Sequence, residues 1–122
     1  MTFRLTKNHR LQNSQDFGRV FEQTDLKVST PSMLVLARNT SKCCARLGLV
    51  ISKKNVGCAV ARNRIKRLCR EAFRLNTQRL PKMDLVFLAK SGINSQENHE
   101  ITTMINKLIN QLITKILPAQ KT

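Results

Sequence analysis

The run Arg46-Leu47-Gly48-Leu49-Val50-Ile51-Ser52-Lys53-Lys54 sets how the chain is read. A loop to Val60 follows it, and then Ala61-Arg62-Asn63-Arg64-Ile65-Lys66-Arg67-Leu68-Cys69-Arg70-Glu71-Ala72-Phe73-Arg74. Leu47 to Ile51 is a short apolar run, which predicts a strand. Residues 53–60 form a Gly-containing loop with two adjacent lysines. A helix is predicted from about 61 to 76, and Pro81 forces a break after it. At about 100° per residue, Ala61, Ile65, Leu68, Cys69, Ala72 and Phe73 fall on one side of this helix. Asn63, Lys66, Arg67, Arg70 and Arg74 fall on the other. Arg62 and Arg64 mark the two edges of the apolar stripe. The helix is therefore anchored along one line and presents cations along the opposite one.

A solvated surface helix is the competing explanation for such a face. Solubilising faces mix signs and gain from i,i+4 pairs of opposite charge. Here residues 53–74 carry eight basic side chains and one acid, Glu71. Lys66 with Arg70, and Arg67 with Arg70 and Arg74, repel at helical spacing. A bound polyanion relieves that repulsion. Arginine outnumbers lysine five to one in the helix, and its planar fork suits phosphates and base edges.

The whole chain shows the same bias. Its 122 residues fit one domain, 1–122, and carry a net charge of +15. Residues 1–90 hold 19 basic and 5 acidic side chains, and residues 91–122 hold 3 and 2. The polyanion site is thus expected in the first three quarters of the chain. Charge alone fits nucleic acid or an acidic membrane surface.

Outward from the central stretch, Arg4, Lys7 and Arg10 lie in a basic, irregular segment, residues 1–13. Ser14 as N-cap and Asp16 in the first turn predict a helix over about 14–23. Phe17, Val20 and Phe21 follow at i, i+3, i+4 on one of its faces, and Phe17 and Phe21 fit core and stacking roles equally. Met33 to Ala37 is a strand that would pair with Leu47–Ile51 as an antiparallel hairpin through a loop near 39–45. Leu85 to Ala89 is a further strand, and a weaker one lies near Lys27-Val28. Phe73 and Phe87 read as core. A long apolar stripe, from Ile101 through Ile105, Leu108 and Leu112 to Leu117, predicts a last helix covering one face of the sheet. Asn94 or Ser95 would cap it and Pro118 would end it. The order predicts an α+β fold: a two-layer α/β sandwich with a central, mostly antiparallel sheet of about four strands and three helices.

No protein catalytic site is visible. The seven acids are scattered, and His9 and His99 stand alone. Cys43, Cys44, Cys58 and Cys69 have no zinc-site spacing and read as free thiols in a reducing compartment. Neither a metal site nor a bound cofactor is therefore expected of the protein. The N-terminus lacks an apolar signal core and no run approaches the length of a membrane span. A soluble, cytoplasmic protein with no membrane partner is expected. Helix-turn-helix and zinc-finger spacings are absent too, which leaves RNA and DNA both open.

The strand, the lysine pair and the R-N-R-x-K-R-x-x-R helix together resemble the protein component of bacterial ribonuclease P. Arg10-Leu11 with Asp16-Phe17 and Val20-Phe21 resembles that family's first helix, and Met83 to Lys90 its last strand. The resemblance covers roughly residues 4–115. It implies a fold like domain 2 of ribosomal protein S5, with a left-handed β-α-β crossover through the basic helix, a hand seen in only about 2% of such connections. It also implies a role: an RNA subunit, using magnesium, removes the 5′ leader of precursor tRNA, and the protein binds that RNA and the leader. One protein per RNA is expected. By position, Lys53, Lys54, Arg62, Asn63, Arg64, Lys66, Arg67 and Arg70 would contact RNA, and Phe17 and Phe21 would line the leader cleft. Family members can carry an aromatic on the first strand facing that cleft. Here Met33 and Val35 occupy the region, so contact there would be apolar packing. Arg64→Ala and Arg67→Ala are each expected to weaken RNA binding and lower its salt slope by roughly one unit. A structural RNA-binding protein, ribosomal for instance, would share the charge and fold type. An autonomous nuclease would instead cut without RNA.

Overall fold

In the computed structural model, structure is described for residues 11, 14–39, 45–80 and 82–120, and for their side chains except those of 14 and 116–120. The readings of Arg4, Lys7 and Arg10, the Ser14 cap, the adjacent cysteines Cys43 and Cys44, and the Pro81 break fall outside that set.

Three helices and four strands follow in the order α1 (Ser14–Glu22), β1 (Leu26–Ser29), β2 (Met33–Asn39), β3 (Arg46–Val50), α2 (Ala59–Asn76), β4 (Met83–Ala89) and α3 (Asn98–Gln120). The sheet order is β1-β2-β4-β3. β1 and β4 both pair antiparallel with β2, whereas β3 pairs parallel with β4. The expected β2–β3 hairpin is therefore wrong. β4 lies between those strands, and the basic helix α2 is the crossover that joins parallel β3 and β4. β4 has buried residues on both faces, as a central strand must.

Side-chain alternation divides the sheet into two faces. Met33, Val35, Ala37, Leu85 and Phe87 point to one of them, and α2 and α3 cover it. Ile65, Cys69, Ala72 and Phe73 of α2 meet Ile101, Ile105, Leu108 and Leu112 of α3 in the same core. Phe73 and Phe87 are fully buried, as expected.

The other face is ordered in three rows across β2, β4 and β3. Arg38, Asp84 and Arg46 form the first; Leu36, Val86 and Gly48 the second; Leu34, Leu88 and Val50 the third. α1 sits over the middle row, with Val20 buried against Leu36 and Val86. It approaches closely because Gly48 has no side chain: a Cβ there would stand 2.5 Å from Phe17 Cε1. The third row stays half-buried.

Two boundaries differ from expectation. Asn94 and Ser95 belong to a single 3₁₀ turn, Ile93–Ser95, entered through Gly92 at φ 93°. α3 begins at Asn98, after Glu97, whose N–H donates to the Glu100 carboxylate at 2.8 Å. That is one half of a capping box, and it satisfies a donor that Asn94 or Ser95 would have had to reach. The backbone also stays helical past Pro118 to Gln120. A proline removes only its own N–H and crowds the carbonyl four residues back, which a terminal turn can leave to solvent.

Candidate nucleic-acid interface

α2 follows its angular layout. Ile65, Cys69, Ala72 and Phe73 are buried, while Asn63, Arg67 and Arg70 are exposed and Lys66 is half-buried. Its stability comes from tertiary packing of that stripe and not from capping: Cys58 precedes the first turn without a side-chain cap, and no acid lies in that turn. Asn76, beyond the sequence-defined stripe, is buried and donates to the Ala72 carbonyl at 2.7 Å and to Asn106 Oδ1 of α3 at 3.1 Å.

The cations divide into two groups. Arg62 and Arg64, at the stripe edges, are engaged by the protein. Arg62 Nη1 donates to the carbonyls of Val56 at 2.9 Å and Gly57 at 3.1 Å. Arg64 donates to Asn98 Oδ1, to the Gln96 carbonyl at 3.2 Å and to both oxygens of Asn94. It thereby fastens α2 to the segment that opens α3. Lys53, Lys54, Lys66, Arg67 and Arg70 form the second group, and none has a hydrogen bond or ion pair to another described residue. Arg74, which the angular layout placed with them, is bonded to Glu71 and holds that carboxyl below its ordinary pKa.

Lys53 and Lys54 stand on an exposed turn after β3. Parallel pairing brings that turn beside the end of β4, the edge where ligands settle in open sheets with parallel strands. The third row, Leu34–Leu88–Val50, leads to the same edge. Phe17 is half-buried over Gly48, and Phe21 is 46% exposed on the outer side of α1. Met33 and Val35 do not face this side. They are buried under α2 and α3, so the apolar surface beside α1 comes from Leu34 and Leu88 instead. The strand Met33-Leu34-Val35-Leu36-Ala37 is apolar on both faces, so its alternation carried no mark of which face lay beside α1.

Arg46 closes the opposite end of the α1 face. Nε and Nη2 donate to the two Asp84 oxygens at 2.7 and 2.8 Å, and Nη1 reaches Asp16 of α1 at 3.3 Å. The hydrogen bonds to Asp84 raise the Arg46 pKa against the opposing effect of burial. Sequence reasoning missed this junction. Its only local signal was a lone Asp inside the apolar run Met83 to Ala89.

Two thiols lie among the described residues. Cys58 is exposed before the first turn of α2. The N–H groups of Ala61 and Val60 favour its thiolate and lower its pKa. Cys69 is buried, which pushes its pKa up to about 12. No cluster of three or more His, Cys, Asp or Glu side chains that could hold a metal ion occurs among the described residues. Among them, too, no helix is long and apolar enough to cross a membrane.

Fold and site together define a class: a small α+β protein with a set of surface cations that no described residue pairs. The family model described as Ribonuclease P matches residues 5–113. The chain is 46% identical over 104 residues to the ribonuclease P protein component of Pasteurella multocida, covering 85% of this chain and 87% of that one. It is 38% identical over 113 residues to that of Saccharophagus degradans, covering 93% and 84%. The solved RNase P protein of Staphylococcus aureus superposes with a TM-score of 0.79 at 26% identity, covering 85% of this chain and 94% of that one. The chain belongs to the ribonuclease P protein family. Its function is accordingly that of a protein subunit of ribonuclease P.

Proposed function

We propose that this chain binds the catalytic RNA of ribonuclease P and the 5′ leader of precursor tRNA, one protein per RNA, and assists leader removal without a catalytic group of its own. The observation that carries this is the set of five unpartnered cations, Lys53, Lys54, Lys66, Arg67 and Arg70, of which Lys53 and Lys54 follow the strand that supplies Val50 to the half-buried row Leu34–Leu88–Val50. Each cation that meets a phosphate releases counterions, which drives association and makes it salt-dependent. Asn63, exposed between Arg62 and Arg64, adds an uncharged donor and acceptor. The apolar row and Phe21 offer the leader packing and one aromatic face. Base stacking on an aromatic is sequence-tolerant, so weak base preference along the leader is expected.

Magnesium, in this proposal, belongs to the RNA. Asp16 and Asp84, the two acids that converge, are both bonded to Arg46, which does not suit a divalent cation. The protein's contribution is positional: it offsets phosphate repulsion and holds the leader. tRNA processing also puts its place of work in the cytoplasm. The test is reconstitution with the cognate RNA subunit and precursor tRNA at physiological magnesium. Cleavage by the mixture should exceed cleavage by RNA alone, and equal rates would end the proposal. Cutting by RNA-free protein would refute the absence of a protein active site.

A further inference from the structure

The lysine pair at the end of β3 is held in place by a residue that carries no charge. The turn at 53–55 is pinned from three sides. Val56 is buried in the main core, and its N–H donates to the Ser52 carbonyl at 2.9 Å. Arg62 holds the carbonyls of Val56 and Gly57. Asn55 supplies the third pin. Its Nδ2 donates to the Ala89 carbonyl at the end of β4 at 2.9 Å, its Oδ1 accepts from Ser91 Oγ at 3.0 Å, and its N–H donates to Ser52 Oγ at 3.2 Å. Its backbone N–H and both side-chain groups are used, and the two side-chain bonds reach across to residues 34 and 36 positions away in sequence. Between these pins Lys53 and Lys54 are exposed and unpaired.

We infer that Asn55 is a positioning residue for RNA binding. It stitches the loop after β3 to the end of β4, so that Lys53 and Lys54 meet the polyanion from a preformed tip. A loop already ordered in the free protein does not have to be ordered on binding. Asn55 is half-buried and touches no phosphate in this scheme; it acts through the two lysines. The inference rests on the proposed contact of those lysines with RNA.

Asn55→Ala changes no charge, which separates positioning from electrostatics. Binding of the full chain to a transcript of its cognate ribonuclease P RNA is measured across a potassium chloride series. Asn55→Ala should weaken binding by about 3- to 10-fold at each salt concentration, the scale of ordering one or two side chains on binding. The slope of log affinity against log salt should not change. Lys53→Ala with Lys54→Ala should instead flatten the slope by about 0.7 to 0.9 per lysine. In that lysine-free background Asn55→Ala should have no further effect, whereas with Arg67→Ala its effect should add. Ser91→Ala, which removes the donor to Asn55 Oδ1 from the far side, should reproduce a smaller loss, and it carries the test if Asn55→Ala does not fold. Full affinity in both Asn55→Ala and Ser91→Ala overturns the inference, as does an undiminished Asn55→Ala loss without the lysines. If the lysine double variant binds with unchanged affinity and slope, the underlying contact is wrong and the inference goes with it.

Discussion

Replacing Gly48 with alanine tests how α1 is seated. The new Cβ would lie 2.5 Å from Phe17 Cε1, 2.7 Å from Phe17 Cζ and 2.9 Å from Leu11 Cδ1, whereas ordinary contact begins at 3.4 Å. The ring has to retreat by about 1 Å, because a shift of the Gly48 backbone would disturb the pairing of β3 with central β4. Overpacking of this kind costs about 1–3 kcal/mol. Against it stands the gain of about 0.4–1 kcal/mol from a less flexible unfolded chain. The net expectation is a loss of about 1–2 kcal/mol, or a midpoint lower by roughly 3–10 °C for a domain of this size. Urea and thermal unfolding followed by circular dichroism measure both. In a Phe17→Leu background the penalty of Gly48→Ala should shrink, because the obstructing ring is gone. If Gly48→Ala melts at or above the parent temperature, or the penalty is the same in both backgrounds, α1 is not held by the ring over Gly48.

The divided roles on α2 predict divided salt dependence. Arg67→Ala should lower the salt slope of RNA binding by about 0.7–0.9, while Arg64→Ala, whose guanidinium keeps its charge but is turned to Asn94, Gln96 and Asn98, should lower the slope by less than the roughly one unit expected from charge alone and also lower the melting temperature; equal slope changes would refute the split. Asp84→Ala leaves the part-buried Arg46 with its longer Asp16 contact and should destabilise the fold by about 3 kcal/mol in urea unfolding, the low end for breaking a buried pair, with α1 loosened first by hydrogen exchange; an unaltered midpoint would remove the junction from the account. Thiolate is the form that alkylates, so the lowered pKa of Cys58 should bring its iodoacetamide labelling to a lower pH than for an ordinary thiol. Cys69, at about 12 and buried, should resist until the protein unfolds, and peptide mapping by mass spectrometry distinguishes the two. Phe87→Ala empties a fully buried site and should cost about 3–5 kcal/mol, read from the same urea titration.

Element types were legible because each rests on local periodicity. The stripe on α2 and the long apolar stripe of α3 were visible from spacing alone, and the bearings of Arg67 and Arg70 followed from the helix pitch. Strand pairing was not legible, because the contacts between β2 and β4 link residues far apart in sequence while the short connection after Asn39 suggests a hairpin. One hint existed: Leu47-Gly48-Leu49-Val50-Ile51 is apolar throughout, the mark of a strand buried on both faces beside a parallel neighbour. The engagement of Arg62 and Arg64 was also beyond reach. Their angular positions at the stripe edges were evident, but the carbonyls of Val56, Gly57 and Gln96 that receive them are backbone groups without a sequence signature. The role of Asn55 was not legible either, since Ala89 and Ser91, which its side chain meets, lie at and just after the end of β4.

The parallel pairing of β3 with β4 has a consequence for synthesis. The basic helix leaves the ribosome before the strand that seats it and before residues 94–98, which hold Arg64. Until then its cations are a charged segment in an unfinished chain, able to attract any RNA nearby through charge alone. Discrimination between RNAs, to the extent that it depends on fixed geometry, arrives only when β4 inserts between β2 and β3 and α3 docks. The last third of the sequence, nearly neutral and remote from the polyanion in composition, thus decides when the first two thirds become selective.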